Sequence, residues 1–379
     1  MHSVRFRVRV LLCAALLAAC VLAPTAQAAS TKSVKVMTRN LYLGADLTPA
    51  IQAQTLPQLA AAGSQIWATV QATDFPARAK VLAKEIAAES PELVGLQEAA
   101  IWRTGAPDGP PALGGTAAPN VVYDYLQTLL DELAAAGSPY VVVRKQQEAD
   151  IEGPTAQGFD IRLTQQDAIL AKKDKVDNGD IAWTAVGSAN YPSSIQLSLP
   201  LLGGVTSVES TRGYVFADIV HKKAGNFRFV DTHLEAFSSG RRAQQAAFLA
   251  TAGPAATTAQ PVVLVGDLNS APGDLAPRPA PDTTPGGLAY ALLTGTFGYA
   301  DTWIQANGSA PGFTSGFNEL VNDADTSGLD TRIDHVLTRG AAEPSDKSLV
   351  TGTDPANRTP AGLWPSDHAG VVAKVYPNP

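Results

Sequence analysis

The chain has 379 residues, 45% of them hydrophobic and 17% charged, with a formal net charge of −7. This is a soluble globular composition, long enough for one large domain or two small ones. It shows no internal repeat and no membrane-spanning run after the amino terminus, and its acidic balance argues against a general attraction for nucleic acid phosphates.

Residues 1–28 read as a secretory signal peptide. Arg5, Arg7 and Arg9 form a basic head, Val10 to Ala23 is mostly apolar, and Ala26-Gln27-Ala28 fits a small-x-small cleavage site. Leu17-Ala18-Ala19-Cys20 resembles a lipobox, so a lipid anchor on Cys20 is the alternative to simple secretion. Cys13 and Cys20 are the only cysteines. Cleavage after Ala28 would leave none, excluding disulfides and thiolate metal sites. It would also leave 25 basic against 35 acidic residues, a net charge of −10.

Residues 29–379 are expected to form a single catalytic domain. Val34 to Met37 reads as a first strand, with Asn40 at its end. Residues 50–88 are alanine-rich and helical in pattern, with breaks expected near Gly63 and Pro76. Leu93 to Leu96 is a second buried strand, ending in Gln97 and Glu98. A Gly/Pro-rich loop over 105–119 follows, then a helix over 121–136, a strand over 141–144, a polar excursion over 146–158 and a strand over 167–171. Leu197, Leu199, Leu201 and Leu202 surround Pro200, as a packed loop or as an apolar projection that dips into lipid. Arg212 precedes a strand over 215–220. The strand over 227–230 leads into DTHLEA, where Asp231, His233 and Glu235 would share one face if the segment stays extended.

The most informative stretch is PVVLVGDLNS, 261–270. Four apolar residues, three of them β-branched, read as a buried strand. Gly266 allows close backbone approach, and Asp267 and Asn269 follow at the strand's carboxyl end, a common place for active sites in α/β proteins. An ordinary Asx turn is the competing account. A strand over 332–337 carries Asp334, and Asp367-His368 precede the last strand. Six polar positions thus fall at or beside apolar strands in a mixed helix-and-strand pattern, which gives an α/β architecture. Buried carboxylates are expensive unless paired or bound to metal. Glu98, Asp267 and Asp367 offer hard oxygen ligands suited to Mg²⁺, Mn²⁺ or Ca²⁺.

The motifs TRNLYLG, LVGLQE, TRGYVFA, VDTHLEA, VVLVGDLNS, RIDHVL and PSDHAGVVAKV, in that order, resemble the endonuclease/exonuclease/phosphatase superfamily. The resemblance implies a four-layer α/β sandwich, with two central mixed β-sheets flanked by helices and the site at one rim. It makes Glu98 the metal-binding glutamate, with Asn40 helping to hold the metal and Asp367 a further candidate ligand. Asp267 would orient or deprotonate water, and Asn269 would contact phosphate. His368, held by Asp334, would bind or protonate a phosphoryl oxygen. His233 matches a second histidine of the deoxyribonuclease and sphingomyelinase branches. Its orienting glutamate has no clear counterpart, although Glu148 and Glu152 are available. TRG, carrying Arg212 as a substrate contact, and DTHLEA lean towards an exported sphingomyelinase or phospholipase C type of phosphodiesterase. The leucines around Pro200 would then be a peripheral membrane contact. An extracellular nuclease is the alternative, and a non-catalytic binding module on the same fold is a third reading. The absence of HExxH and of a cysteine set counts against a zinc hydrolase.

Overall fold

A computed structural model describes residues 32–111, 114–199 and 206–378. The expected leader, Cys20, Leu201 and Leu202 lie outside these residues.

Strands β1 (Val34–Asn40), β2 (Leu93–Gln97), β3 (Ile101–Gly105), β4 (Asn120–Asp124), β5 (Tyr140–Pro154) and β6 (Asp160–Lys172) alternate with helices α1 (Thr48–Ile51), α2 (Leu56–Ala72), α3 (Phe75–Glu89) and α4 (Tyr125–Ala135). After a short helix, α5 (Lys173–Asp177), come β7 (Ile181–Asn190), a hairpin of β8 (Ile195–Leu199) and β9 (Thr206–Ser210), β10 (Gly213–His221) and β11 (Gly225–His233). Helix α6 (Ser239–Thr251), β12 (Val262–Asp267), α7 (Leu288–Ala291), β13 (Ala300–Asp301) and α8 (Thr302–Asn307) lead to β14 (Asp334–Arg339), β15 (Glu343–Thr351) and β16 (Gly370–Tyr376).

The first sheet runs β15-β16-β1-β2-β6-β3-β4, with β5 also on β6; the second runs β13-β14-β12-β11-β10-β7. Both are mixed, because β1 pairs β2 in parallel and β11 pairs β12 in parallel while their other neighbours are antiparallel. Strand alternation sends one set of side chains between the sheets, where Val36, Leu93 and Ile169 meet Val215, Phe229 and Val265. The other set packs outward: Met37, Val94 and Leu96 against Ile66, Leu82 and Ile86 of α2 and α3, and Val230, Leu264 and Leu337 against Ala246 and Leu249 of α6. The result is the expected four-layer sandwich. Being covered on both faces, β2 and β12 are buried at every position, which explains their unbroken apolar runs.

Gly63 does not interrupt α2, which runs through it; a Cβ there would lie 2.2 Å from the Pro154 carbonyl oxygen, so the bare backbone lets the helix lie against β5. The break falls at Thr73 and Asp74, and Pro76 sits in the first turn of α3, where its missing N–H costs nothing. The segment read as a helix from 121 divides into β4 and α4, whose N-cap Asp124 accepts from Gln127 N–H. The polar excursion is largely strand: β5 extends to Pro154 as an edge on β6, and edge strands keep polar outward faces.

Candidate active site

The carboxyl ends of β1, β2, β11 and β12 and the amino end of β14 meet at one rim. In the ladder, Asn40 lies opposite Gln97, His233 opposite Asp267, and Asp267 opposite Asp334. The registers therefore assemble most of the site before any side chain is considered. Gly266 has φ +149°, and a Cβ on it would sit 1.9 Å from the Thr232 carbonyl oxygen. Close contact with β11 thus requires glycine immediately before Asp267. At Asn269 the chain turns into the left-handed region with φ 48°, and Asp267 Oδ1 accepts from Asn269 N–H at 2.8 Å. The Asx turn and the polar cluster are the same structure. Tyr42 (φ 59°) and Glu98 (φ 58°) share the strained backbone, at the ends of β1 and β2.

Asp267 Oδ2 accepts from Asn40 Nδ2 at 3.2 Å and faces His233 Nε2 at 3.5 Å and His368 Nδ1 at 3.9 Å. His368 Nδ1 donates to Asp334 Oδ2 at 2.9 Å. Asn269 Nδ2 donates to the Leu234 carbonyl. Behind the histidine, Ser366 Oγ donates to the Asn40 carbonyl and accepts from His368 N–H, tying the last strand to the first. Arg39, on the opposite face of β1, donates to the His368 carbonyl and pairs with Glu85 at 3.1 Å. Arg78 is fully buried and donates to the carbonyls of Thr73, Leu41, Tyr42 and Pro365. Glu98 Oε2 accepts from Leu43 N–H at 2.7 Å.

Burial, the neighbouring Asp334 and Glu98 raise the Asp267 pKa to about 7, against the pull of His368. Burial and Glu98 likewise raise Asp367 to about 6, with His368 and Arg78 opposing. For His368 burial works against the charge, but Asp334 and Asp367 outweigh it and hold the imidazole well above its usual range. His233 is the opposite case. Burial, Arg212 and His368 all depress it, so its ring is neutral. Arg212 Nη1 lies 2.9 Å from its Nδ1 and 3.2 Å from its Nε2, and Nε2 is also 3.2 Å from Asn269 Nδ2 and 3.5 Å from Asp267 Oδ2.

The sequence-predicted residues divide into three groups. Asn40, His233, Asp267, Asn269, Asp334 and His368 form one contact network. Glu98 and Asp367 lie beside it, where both line a cavity of about 470 Å³. Arg212 is buried behind His233, 3.6 Å from Glu148, and also reaches the cavity.

Among the described residues, ligand atoms lie within 4.8 Å of one another in two clusters: Asp267–Asp334–His368 and Glu148–Asp167–His233. Asp334 Oδ1 is buried without a partner, and Asp267 is crowded by like charge. Hard oxygen donors with uncompensated charge fit a divalent cation.

A model of the endonuclease/exonuclease/phosphatase family matches residues 62–368. The chain belongs to this family. No curated protein matches its sequence. Among solved structures it is similar to an endonuclease/exonuclease/phosphatase family protein of Bacteroides thetaiotaomicron at 15% identity and TM-score 0.54, covering 90% of this chain and 97% of that one. It is also similar to a mannosyl-6-phosphatase of Bacteroides thetaiotaomicron VPI-5482 at 17% identity and TM-score 0.51, covering 90% and 99%. A third is D. rerio TDP2 in complex with a single-strand DNA product, at 15% identity and TM-score 0.51, covering 90% and 98%. These likenesses show the endonuclease/exonuclease/phosphatase fold.

Within that fold, Gln165 and Asp167 escaped the sequence reading, whereas Glu148 was one of the two glutamates it offered for His233. Gln165 Nε2 lies 3.3 Å from His233 Nδ1, and Glu148 belongs to the same cluster, whereas Glu152 accepts from Ala118 N–H further along the cavity wall. Asp167 is pushed well up by burial and by Glu148. Its one sequence signal is a carboxylate opening an apolar strand segment, DAILA.

Proposed function

We propose that this protein is an exported, divalent-metal-dependent phosphodiesterase of sphingomyelinase or phospholipase C type, with its catalytic domain in residues 29–379. One observation carries the hydrolytic reading. Asp267, poised near neutrality, stands between Asn40, His233 and a protonated His368 that is itself held by Asp334. A binding module has no use for a proton acceptor and a charged, tethered donor side by side.

Glu98, Asn40 and Asp367 would hold the cation. A bound Mg²⁺, or Mn²⁺ or Ca²⁺, supplies charge neutralisation on the phosphoryl oxygens and acidifies water. Asp267 orients the attacking water and takes its proton as the new P–O bond forms. His368, with Nδ1 committed to Asp334, presents Nε2–H to a phosphoryl oxygen, where charge accumulates. Asn40 and Asn269 add neutral donors, and His233, neutral and backed by Arg212, stands beside Asp267. The P–O bond to the departing group then breaks, and that oxygen takes a proton from solvent, while the proton on Asp267 is returned to solvent after release.

The acidic net charge and the DTHLEA and TRG motifs support a phospholipid headgroup over a nucleic acid. Peripheral membrane contact through Leu197, Leu199, Leu201 and Leu202 belongs to the same reading. Purified protein with Mg²⁺ is expected to release phosphocholine from sphingomyelin vesicles, and chelator should stop it. Nicking of plasmid DNA without that release would replace the lipid reading with the nuclease. Inactivity on phosphodiesters and phosphomonoesters with all three cations would favour the binding module. Intact mass of the exported form distinguishes cleavage after Ala28 from a lipid on Cys20.

A further inference from the structure

Catalysis leaves most of the cavity beside Glu98 unused. Its volume of about 470 Å³ lies within the range of small-molecule sites, roughly 300–1,000 Å³, whereas protein interiors keep few voids larger than a water molecule. Its walls are Leu47, Ile51, Leu59, Ile66, Trp102 and Leu163, drawn from the segments around α1, α2, β3 and β6. The Trp102 indole N–H is already donated to the Leu43 carbonyl at 2.7 Å, so the ring adds an apolar face. Glu98, Asp367, Gln165 and Arg212 line it beside the catalytic rim, and Asp46, Glu152 and Glu319 reach it elsewhere.

An apolar chamber opening onto a phosphoester site matches an amphiphile lying across the two. We infer that this cavity receives an alkyl or acyl chain of the phosphoester substrate, so that the chain is gripped inside the protein while its phosphate sits at Glu98 and His368. The inference rests on the phosphodiesterase reading and narrows its substrate to esters with an aliphatic chain next to the phosphate. A nucleoside is a poor occupant. Most of the wall is apolar, so desolvating the polar base edges there would be costly, although the rings of Tyr42, Trp102, Phe237 and Phe317 also line the cavity.

The test uses bis(p-nitrophenyl) phosphate with Mg²⁺ as reporter and n-alkylphosphonates from methyl to dodecyl, below their micelle concentrations, as competitors. The inhibition constant should fall by up to about 4-fold per methylene until the cavity is full, then level off. Leu163→Trp should flatten this dependence. Leu59→Trp, at a half-buried position that tolerates bulk, should do the same if the first variant fails to fold. An inhibition constant independent of chain length, with the reporter still hydrolysed, overturns the inference. If the reporter is not hydrolysed, the functional reading falls instead. Calorimetric titration with dodecyl- and methylphosphonate then decides the cavity on its own: tighter binding of the longer chain supports it, and equal or absent binding ends it.

Discussion

The Asp334 carboxylate accepts a hydrogen bond from His368 Nδ1 at 2.9 Å, although 34 residues separate them in the chain. One oxygen is thereby spent on fixing the ring, and the imidazole keeps its charge in a buried setting. Asp334→Asn should lower kcat on a phosphodiester by about 10²–10⁴-fold, the size of a general acid–base contribution. KM should change by only a few fold. Steady-state kinetics on folded variant, checked by circular dichroism, decide this; a kcat close to wild type would remove the pair from the mechanism.

Glu98 is expected to act through the cation. Glu98→Gln should raise the Mg²⁺ concentration for half-maximal activity by on the order of 10–100-fold, as loss of a supporting group at a metal site does. Magnesium titration of activity after chelator treatment measures the shift. An unchanged midpoint would place the cation elsewhere, with the Asp267–Asp334–His368 cluster the next candidate.

The tight approach of β12 to β11 makes a stability prediction. Gly266→Ala places a methyl group 1.9 Å from the Thr232 carbonyl in a backbone conformation that side chains resist. It should cost about 3 kcal/mol or more. Urea denaturation reads it, and a loss below about 1 kcal/mol would mean that the strand ends relax more easily than their packing indicates.

His335 sets a pH dependence. Its Nδ1 accepts from Arg332 and its Nε2–H donates to the Ser270 carbonyl, so the ring is held neutral. Burial and Arg332 depress its pKa to about 4, with Asp301 opposing. The unfolded chain takes up the proton near pH 6.5, the folded chain only near 4. The contribution to stability is therefore full above about 6.5 and is lost as pH falls towards 4, by about 3 kcal/mol. His335→Gln should flatten the stability curve across that window. Parallel wild-type and variant curves would refute it.

The polar residues closing β2, β11 and β12 were legible in the sequence because each follows a run of residues buried on both sheet faces. Burial on both faces leaves no alternation to hide a carboxylate in, so Glu98 and Asp267 stood out. Glu148 was offered only as one of two glutamates without a motif, and Asp167 did not stand out at all. They project from a long strand pair whose outer strand is polar for reasons of exposure, and only pairing places them behind His233. The division of β4 from α4 was hidden too, since Val121 and Val122 continue the apolar pattern of the helix although they are exposed. The cavity leaves no trace in a linear pattern, because its walls come from segments more than a hundred residues apart that look like ordinary core.

Strand β16 fills the position between β15 and β1, and Arg78 links the Leu41 and Pro365 carbonyls on the two sides of that joint. Without β16 the first strand has β2 alone as a neighbour, and its other edge is left open. Deletion of residues 370–376 should therefore yield an inert, aggregation-prone polypeptide rather than a weakened enzyme.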